Sequence, residues 1–60
     1  MAIKIIEDKD SGKKWEIYKK SATDYFYKYY EYFKNIGWKL MGISENYSKE
    51  AIEWELETEL

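Results

Sequence analysis

Ser21 to Gly37, SATDYFYKYYEYFKNIG, holds seven of the chain's twelve aromatic residues, more than a single element needs to bury. Its pattern predicts a helix. Ser21 suits the N-cap and Asp24 the third helical position, a weakened capping box with a carboxylate at the positive helix end. Asn35 and Gly37 supply a stop, with glycine in the left-handed position after the last turn. Ala22, Phe26, Tyr29, Phe33 and Ile36 fall on one stripe at helical spacing and are the expected core contact. Tyr25 and Tyr32 take one shoulder, Tyr30 the other, and Tyr27 faces solvent. Shoulder tyrosines ordinarily seal the edge of a small core with their hydroxyls wet. Four together point instead to a contact surface.

The flanking segments read as strands. Ala2 to Asp8 alternates, with Ile3 and Ile5 on one face and Lys4 and Ile6 on the other. Asp8-Lys9-Asp10-Ser11-Gly12 is turn chemistry. Lys14 to Lys20 returns, with Trp15 and Ile17 opposite Glu16 and Tyr18. Trp38 to Glu45 is a third strand, interrupted at Gly42 where a bulge fits. Asn46 to Lys49 is a turn. Ala51 to Leu60 closes the chain as a fourth strand, Ile52, Trp54, Leu56 and Thr58 alternating with Glu53, Glu55, Glu57 and Glu59. The expected fold is α+β in one domain, residues 1–60. It is an antiparallel sheet of three to four strands with one helix packed on one face, in the order β-β-α-β-β. The inward set would be Ile3, Ile5, Trp15, Ile17, Trp38 or Leu40, Ile52, Trp54 and Leu56. Trp54 and Phe33 would be the core anchors. Ile6, Tyr18, Met41 and Ile43 would remain on the far face.

Composition narrows the chemistry. The chain has no Cys and no His, so the usual general base, thiol nucleophile and soft metal ligands are missing. Asp8 to Gly12 is no calcium loop, because Lys13 and Lys19 occupy the positions that need glycine and glutamate. No phosphate loop is present. The reading is a protein that is not an enzyme and holds no cofactor or metal. A net charge of −2 does not indicate a basic nucleic-acid binder. The start of the chain lacks a signal peptide's apolar core and no run could span a membrane, so a soluble cytoplasmic protein is expected. Sixty residues without a staple are marginal alone. A homodimer that buries Ile6, Met41, Ile43 and several tyrosines would offset this.

Two charge patterns remain. On a strand, Glu53, Glu55, Glu57 and Glu59 would stand about 7 Å apart, an anionic row like one phosphate backbone. Such a row could occupy another protein's DNA groove; its plainer role is a solvated polar face. Lys13, Lys14, Lys19 and Lys20, beside Trp15 and Tyr18, could instead form a nucleic-acid-binding hairpin, or simply a lysine-protected sheet edge.

The hairpin IKIIEDKDSGKKWEIYKK, the stretch SATDY and the closing EAIEWELETEL resemble the small uracil-DNA glycosylase inhibitors of Bacillus phages, which act as dimers by DNA mimicry. The resemblance covers about two-thirds of the chain; the longer helix and the segment Gly37 to Glu45 depart from the family pattern. It implies an inhibitor of a host DNA-processing enzyme, acting in the host cytoplasm, with no direct nucleic-acid or membrane binding. It carries an acidic role to Glu16 and aromatic and anionic roles to Tyr25, Tyr29, Glu31 and Tyr32. Together with Tyr18 and with Glu53, Glu55 and Glu57, these are the candidate partner-binding residues. A nucleic-acid-binding hairpin and a small structural homodimer domain are the alternatives.

Overall fold

A computed structural model describes residues 1–60 and contains five elements. They are β1 (Lys4–Asp8), β2 (Lys13–Lys19), β3 (Tyr25–Phe33), β4 (Gly37–Ile43) and α1 (Lys49–Leu56). The fold is α+β. The four strands form one antiparallel sheet in the order β1-β2-β3-β4. No helix is long and apolar enough to cross a membrane.

The element order corrects the sequence reading, because the helix comes last and the expected helix is a strand. Tyr25 to Phe33 contains so many aromatic residues that apolar spacing fits a period of 3.6 and a period of 2 equally well. Aromatic side chains favour the pleated surface of a sheet, and that preference prevails. The presumed helix cap exists, but it closes a hairpin loop. The Ser21 hydroxyl donates to Asp24 Oδ2 and accepts from the Asp24 N–H, both at 3.2 Å, while the Lys20 N–H donates to the Asp24 carbonyl. Gly37 does adopt a left-handed conformation, φ 81°, at the turn into β4.

The closing segment changes in the opposite sense. Ala, Leu, Glu and Lys are strong helix formers, whereas glutamate is depleted in strands. Ser48 caps α1, its hydroxyl accepting from the Ala51 N–H at 3.2 Å. At the other end Glu57 adopts φ 50°, and the N–H groups of Glu57 and Thr58 donate back to the carbonyls of Trp54 and Glu53. This is a Schellman closure with glutamate where glycine is usual. Ile52 and Leu56, one turn apart, form the apolar stripe, and Trp54 lies outside it.

The first hairpin matches its expectation. Asp8 Oδ1 accepts from the N–H groups of Asp10 and Ser11, and Gly12 takes the left-handed φ of 68° that the turn needs. Gly42 lies beside the expected irregularity. Tyr29 pairs with Gly42 and Tyr30 with Leu40, which leaves Met41 as the extra residue of a bulge on β4.

Register sets the two faces, since directly paired residues share a side. Ile6 pairs with Trp15, Ile17 with Tyr27 and Lys19 with Tyr25, which puts these residues on the helix side. Ile5 pairs with Glu16 and Tyr18 with Phe26 on the other side. In β1 the inward residue is therefore Ile6, not Ile3 or Ile5, which stay exposed. The core is small: Ile17 and Ile52 are fully buried and Tyr25 nearly so, ringed by Ile6, Tyr27, Tyr47, Leu56 and Leu60. Trp54, an expected anchor, is 81% exposed, and Phe33 lies at the rim of the sheet, also exposed.

Candidate interaction surfaces

The helix covers one face, and the other is open. On the open face, Tyr18 stacks on Phe26 with ring centroids 5.2 Å apart, and Tyr32 meets Trp38 edge-on at 5.3 Å. Lysines lie across the rings. The Lys14 ammonium is 4.8 Å from the centroid of Tyr30 and 4.7 Å from that of Trp38, and Lys28 is 4.8 Å from that of Tyr18. Glu16 ties the network together, accepting from the Tyr18 hydroxyl at 2.9 Å and lying 3.7 Å from Lys14. Burial pushes the Glu16 carboxyl up, but hydrogen bonds from Tyr18 and Tyr30 and the Lys14 charge outweigh it and hold the group below its usual range. The hydrogen bond to Glu16, followed by burial, raises the Tyr18 phenol; burial, followed by Glu16, raises that of Tyr30. Each ring is thus held by a neighbour or a charge, and the face is an ordered apolar surface.

On the helix side, Trp15 and Tyr29 pack at 5.4 Å, Trp15 lining a cavity with Leu56 at the end of α1, and the Tyr29 hydroxyl donates to Glu31 Oε2 at 2.8 Å. Tyr27 stacks on Tyr47. The outer side of α1 carries the exposed Trp54. Glu50, one turn earlier, shares its side of the helix, and Glu57 follows at the helix end.

Charge divides along the chain. Residues 1–44 carry nine lysines and six carboxylates, a net +3. Residues 45–60 carry one lysine and six carboxylates, a net −5. These two values account for the total of −2. The sheet is weakly basic, and the helix with its flanks is strongly acidic.

The candidate residues therefore fall into three places. Glu16, Tyr18 and Tyr32 lie on the open face, with Glu16 and Tyr18 in direct contact. Tyr25, Tyr29 and Glu31 lie on the helix side, where Tyr25 belongs to the core. Glu53, Glu55 and Glu57 belong to the helix and its end, where a turn every 3.6 residues disperses the expected straight row. Glu53 is also occupied locally, its Oε2 accepting the Leu60 N–H at 2.9 Å. The hairpin lysines divide as well: Lys13 and Lys19 share the helix side with Trp15, while Lys14 shares the open face with Tyr18. Sequence reasoning placed Phe26 and Trp38 in the core and so missed them as surface residues of the open face, and it missed Trp54 as an exposed one. For Phe26, the available signal was the strand preference of the aromatic run. No three carboxylates cluster closely enough to hold a metal ion.

The fold and its surfaces define a small α+β meander domain with an aromatic open face and an acidic helical side. No protein-family model, curated protein or solved structure matches the chain.

Proposed function

We propose that the chain is a non-catalytic cytoplasmic binding protein that inhibits a DNA-processing enzyme by occupying its DNA groove. Uracil-DNA glycosylase is the target that the sequence resemblance favours. One observation carries the reading: a tryptophan 81% exposed in the middle of a helix whose segment bears a net −5. A DNA groove is basic, so an acidic helix is steered into it by long-range attraction. An exposed tryptophan is the side chain best suited to become a desolvated anchor there. The imitation is of DNA's charge and not of its phosphate spacing, since the glutamates do not stand in a row. The lysine hairpin supports a nucleic-acid-binding reading less well, because its lysines are divided between two faces.

The test is uracil excision by a bacterial uracil-DNA glycosylase with DNA and this protein in competition. Inhibition that Trp54→Ala weakens is the expected result. Unchanged excision at large molar excess removes that target. Binding of the chain to single- or double-stranded DNA at physiological salt removes mimicry altogether.

A further inference from the structure

We infer that a cavity beside Gly12, at one end of the open face, is a binding site for a nucleoside monophosphate and prefers guanine as its base. Glu7, Lys9, Gly12, Tyr32 and Trp38 line a cavity of about 400 Å³, within the size range of small-molecule pockets. The register creates it. The Tyr32 N–H donates to the Gly12 carbonyl at 2.9 Å, so Gly12 stands opposite Tyr32 in the sheet. The turn needs the left-handed φ of 68° at Gly12, and the row is left without a side chain between β1 and β3. On the other side Tyr32 and Trp38 meet at 73° and form a corner of two rings. A flat ligand stacked on Tyr32 meets Trp38 edge to face, and both arrangements suit aromatic rings. The Tyr32 ring is 54% exposed, and the lysines that lie over rings elsewhere leave it free.

Charge and hydrogen bonding select the occupant. Lys9, Lys14, Lys20 and Lys28 stand beside the rings of this face against Glu7 and Glu16, four positive charges to two negative. At the cavity, Lys9 is exposed on the rim and Lys14 lies 4.7 Å from the Trp38 centroid, with Glu7 the single carboxylate in the lining. This excess of positive charge draws an anionic group to the rim. A flat ring joined to an anion is the chemistry of a nucleotide. Glu7 chooses among bases, because a carboxylate only accepts hydrogen bonds and has two oxygens to do so. Guanine offers a ring N–H and an amino group side by side. Adenine sets an acceptor nitrogen beside its amino group and leaves one oxygen unmatched. A single strand of nucleic acid fits less well, since successive bases need successive free rings. Tyr18 is already stacked on Phe26 and lies under Lys28, and Lys14 lies over Tyr30. Of these rings Tyr32 alone carries neither a stacked neighbour nor a lysine.

The experiment is a heteronuclear NMR titration of the whole chain, read at the indole N–H signals of its three tryptophans. Guanosine monophosphate should shift the Trp38 signal with a Kd of about 1 mM or lower and leave those of Trp15 and Trp54 in place. Guanosine should bind about threefold more weakly, for want of the exposed ion pair with Lys9. Adenosine monophosphate should bind about tenfold more weakly, for want of the second donor to Glu7. Lys9→Gln should abolish the first difference and Glu7→Gln the second. Gly12→Asn keeps a left-handed backbone accessible and fills the cavity, so it should abolish the shift. Lys34→Gln, in the β3–β4 turn, should change nothing. A Trp38 signal that stays in place at about 10 mM guanosine monophosphate overturns the inference. An equal shift from inorganic phosphate alone, an adventitious ion only, also overturns it. So does oligothymidylate that binds more tightly and moves the Tyr18 and Tyr30 signals, since the face is then a platform for a single strand. Should Gly12→Asn fail to fold, Lys9→Gln at its exposed position decides, and an unchanged affinity for guanosine monophosphate overturns the site. This inference does not rest on the proposed target. A chain that inhibits excision without binding the nucleotide removes only this site, and one that binds the nucleotide without inhibiting removes only the target.

Discussion

Tyr47 and Tyr25 exchange both of their backbone hydrogen bonds, the Tyr47 N–H donating to the Tyr25 carbonyl at 2.7 Å and the Tyr25 N–H returning the bond at 2.8 Å. This isolated bridge fastens the segment before α1 to the first residue of β3. The Tyr27 and Tyr47 rings stack beside it. Ser48 comes next and caps the helix, so bridge and cap together set the angle at which Ile52 enters the core.

Ser48→Ala should therefore destabilise the chain by about 1 kcal/mol, the usual cost of losing an N-cap. Urea unfolding checks this; an unchanged midpoint would mean that the bridge alone fixes the helix start.

Ile52→Ala should cost roughly 2–5 kcal/mol, because it opens a cavity opposite Ile17 in the only fully buried contact. Trp54→Ala should change stability by no more than about 0.5 kcal/mol, as an exposed site does. Paired thermal melts test the contrast. Equal losses would place Trp54 in the core.

Glu57→Gly should raise stability by about 0.5–1 kcal/mol. The left-handed backbone at φ 50° strains a residue with a Cβ and suits glycine, though glycine's freer unfolded chain offsets part of the gain. A lower urea midpoint would show that the Glu57 side chain holds the helix end.

Stability should be flat from about pH 5 to 8, where no side chain here ordinarily titrates, and should fall on both sides. Glu16 and Asp8 are held below their usual range, Asp8 chiefly by its hydrogen bonds from Ser11. A depressed carboxyl contributes stability above its unfolded pKa and loses it as pH drops through the folded one, so the acid loss begins near pH 4.5. Tyr18, Tyr29, Tyr30 and Tyr47 are raised, Tyr18 by its bond to Glu16 and the other three first by burial. A raised phenol contributes stability below its unfolded pKa and loses it as pH climbs through the folded one, so the alkaline loss begins near pH 10. Thermal midpoints across pH 3 to 11 check both edges. A drop between pH 5 and 8 would contradict the assignment of these groups.

Neutralising Glu50 and Glu57 to Gln should slow association with a DNA-groove partner and flatten its salt dependence, since exposed charges act mainly on the on-rate. Trp54→Ala should instead speed dissociation, by about 2 kcal/mol or more if it is the anchor. Stopped-flow binding to uracil-DNA glycosylase separates the two effects. Identical changes in on-rate from both sets would remove the division between field and anchor.

The parts legible in the sequence are those whose chemistry has one structural meaning. Asp8 to Gly12 reads as a turn because short polar side chains and a glycine can do little else. Tyr25 to Phe33 could not be read by periodicity, since a nearly unbroken aromatic run satisfies every period. The Ser21–Asp24 interaction misled because it serves a loop as well as a helix start. In the last segment, alternation of Ile, Trp and Leu with glutamate imitated a strand, although Ile52 and Leu56 are also one helical turn apart. The glutamate row was lost with that strand. The open face could not be seen at all until β3 was a strand, because its rings come from three strands brought side by side.

The meander has a kinetic consequence. Each strand pairs with the one before it, so the sheet assembles through short loops whose closure is entropically cheap. The contact between Ile17 and Ile52 joins residues thirty-five positions apart and cannot reward the chain until α1 has docked. Substitutions in the hairpins should therefore slow folding, whereas Ile52→Ala should mainly speed unfolding, as loss of a contact made after the barrier does; folding and unfolding rates across urea concentration check the division.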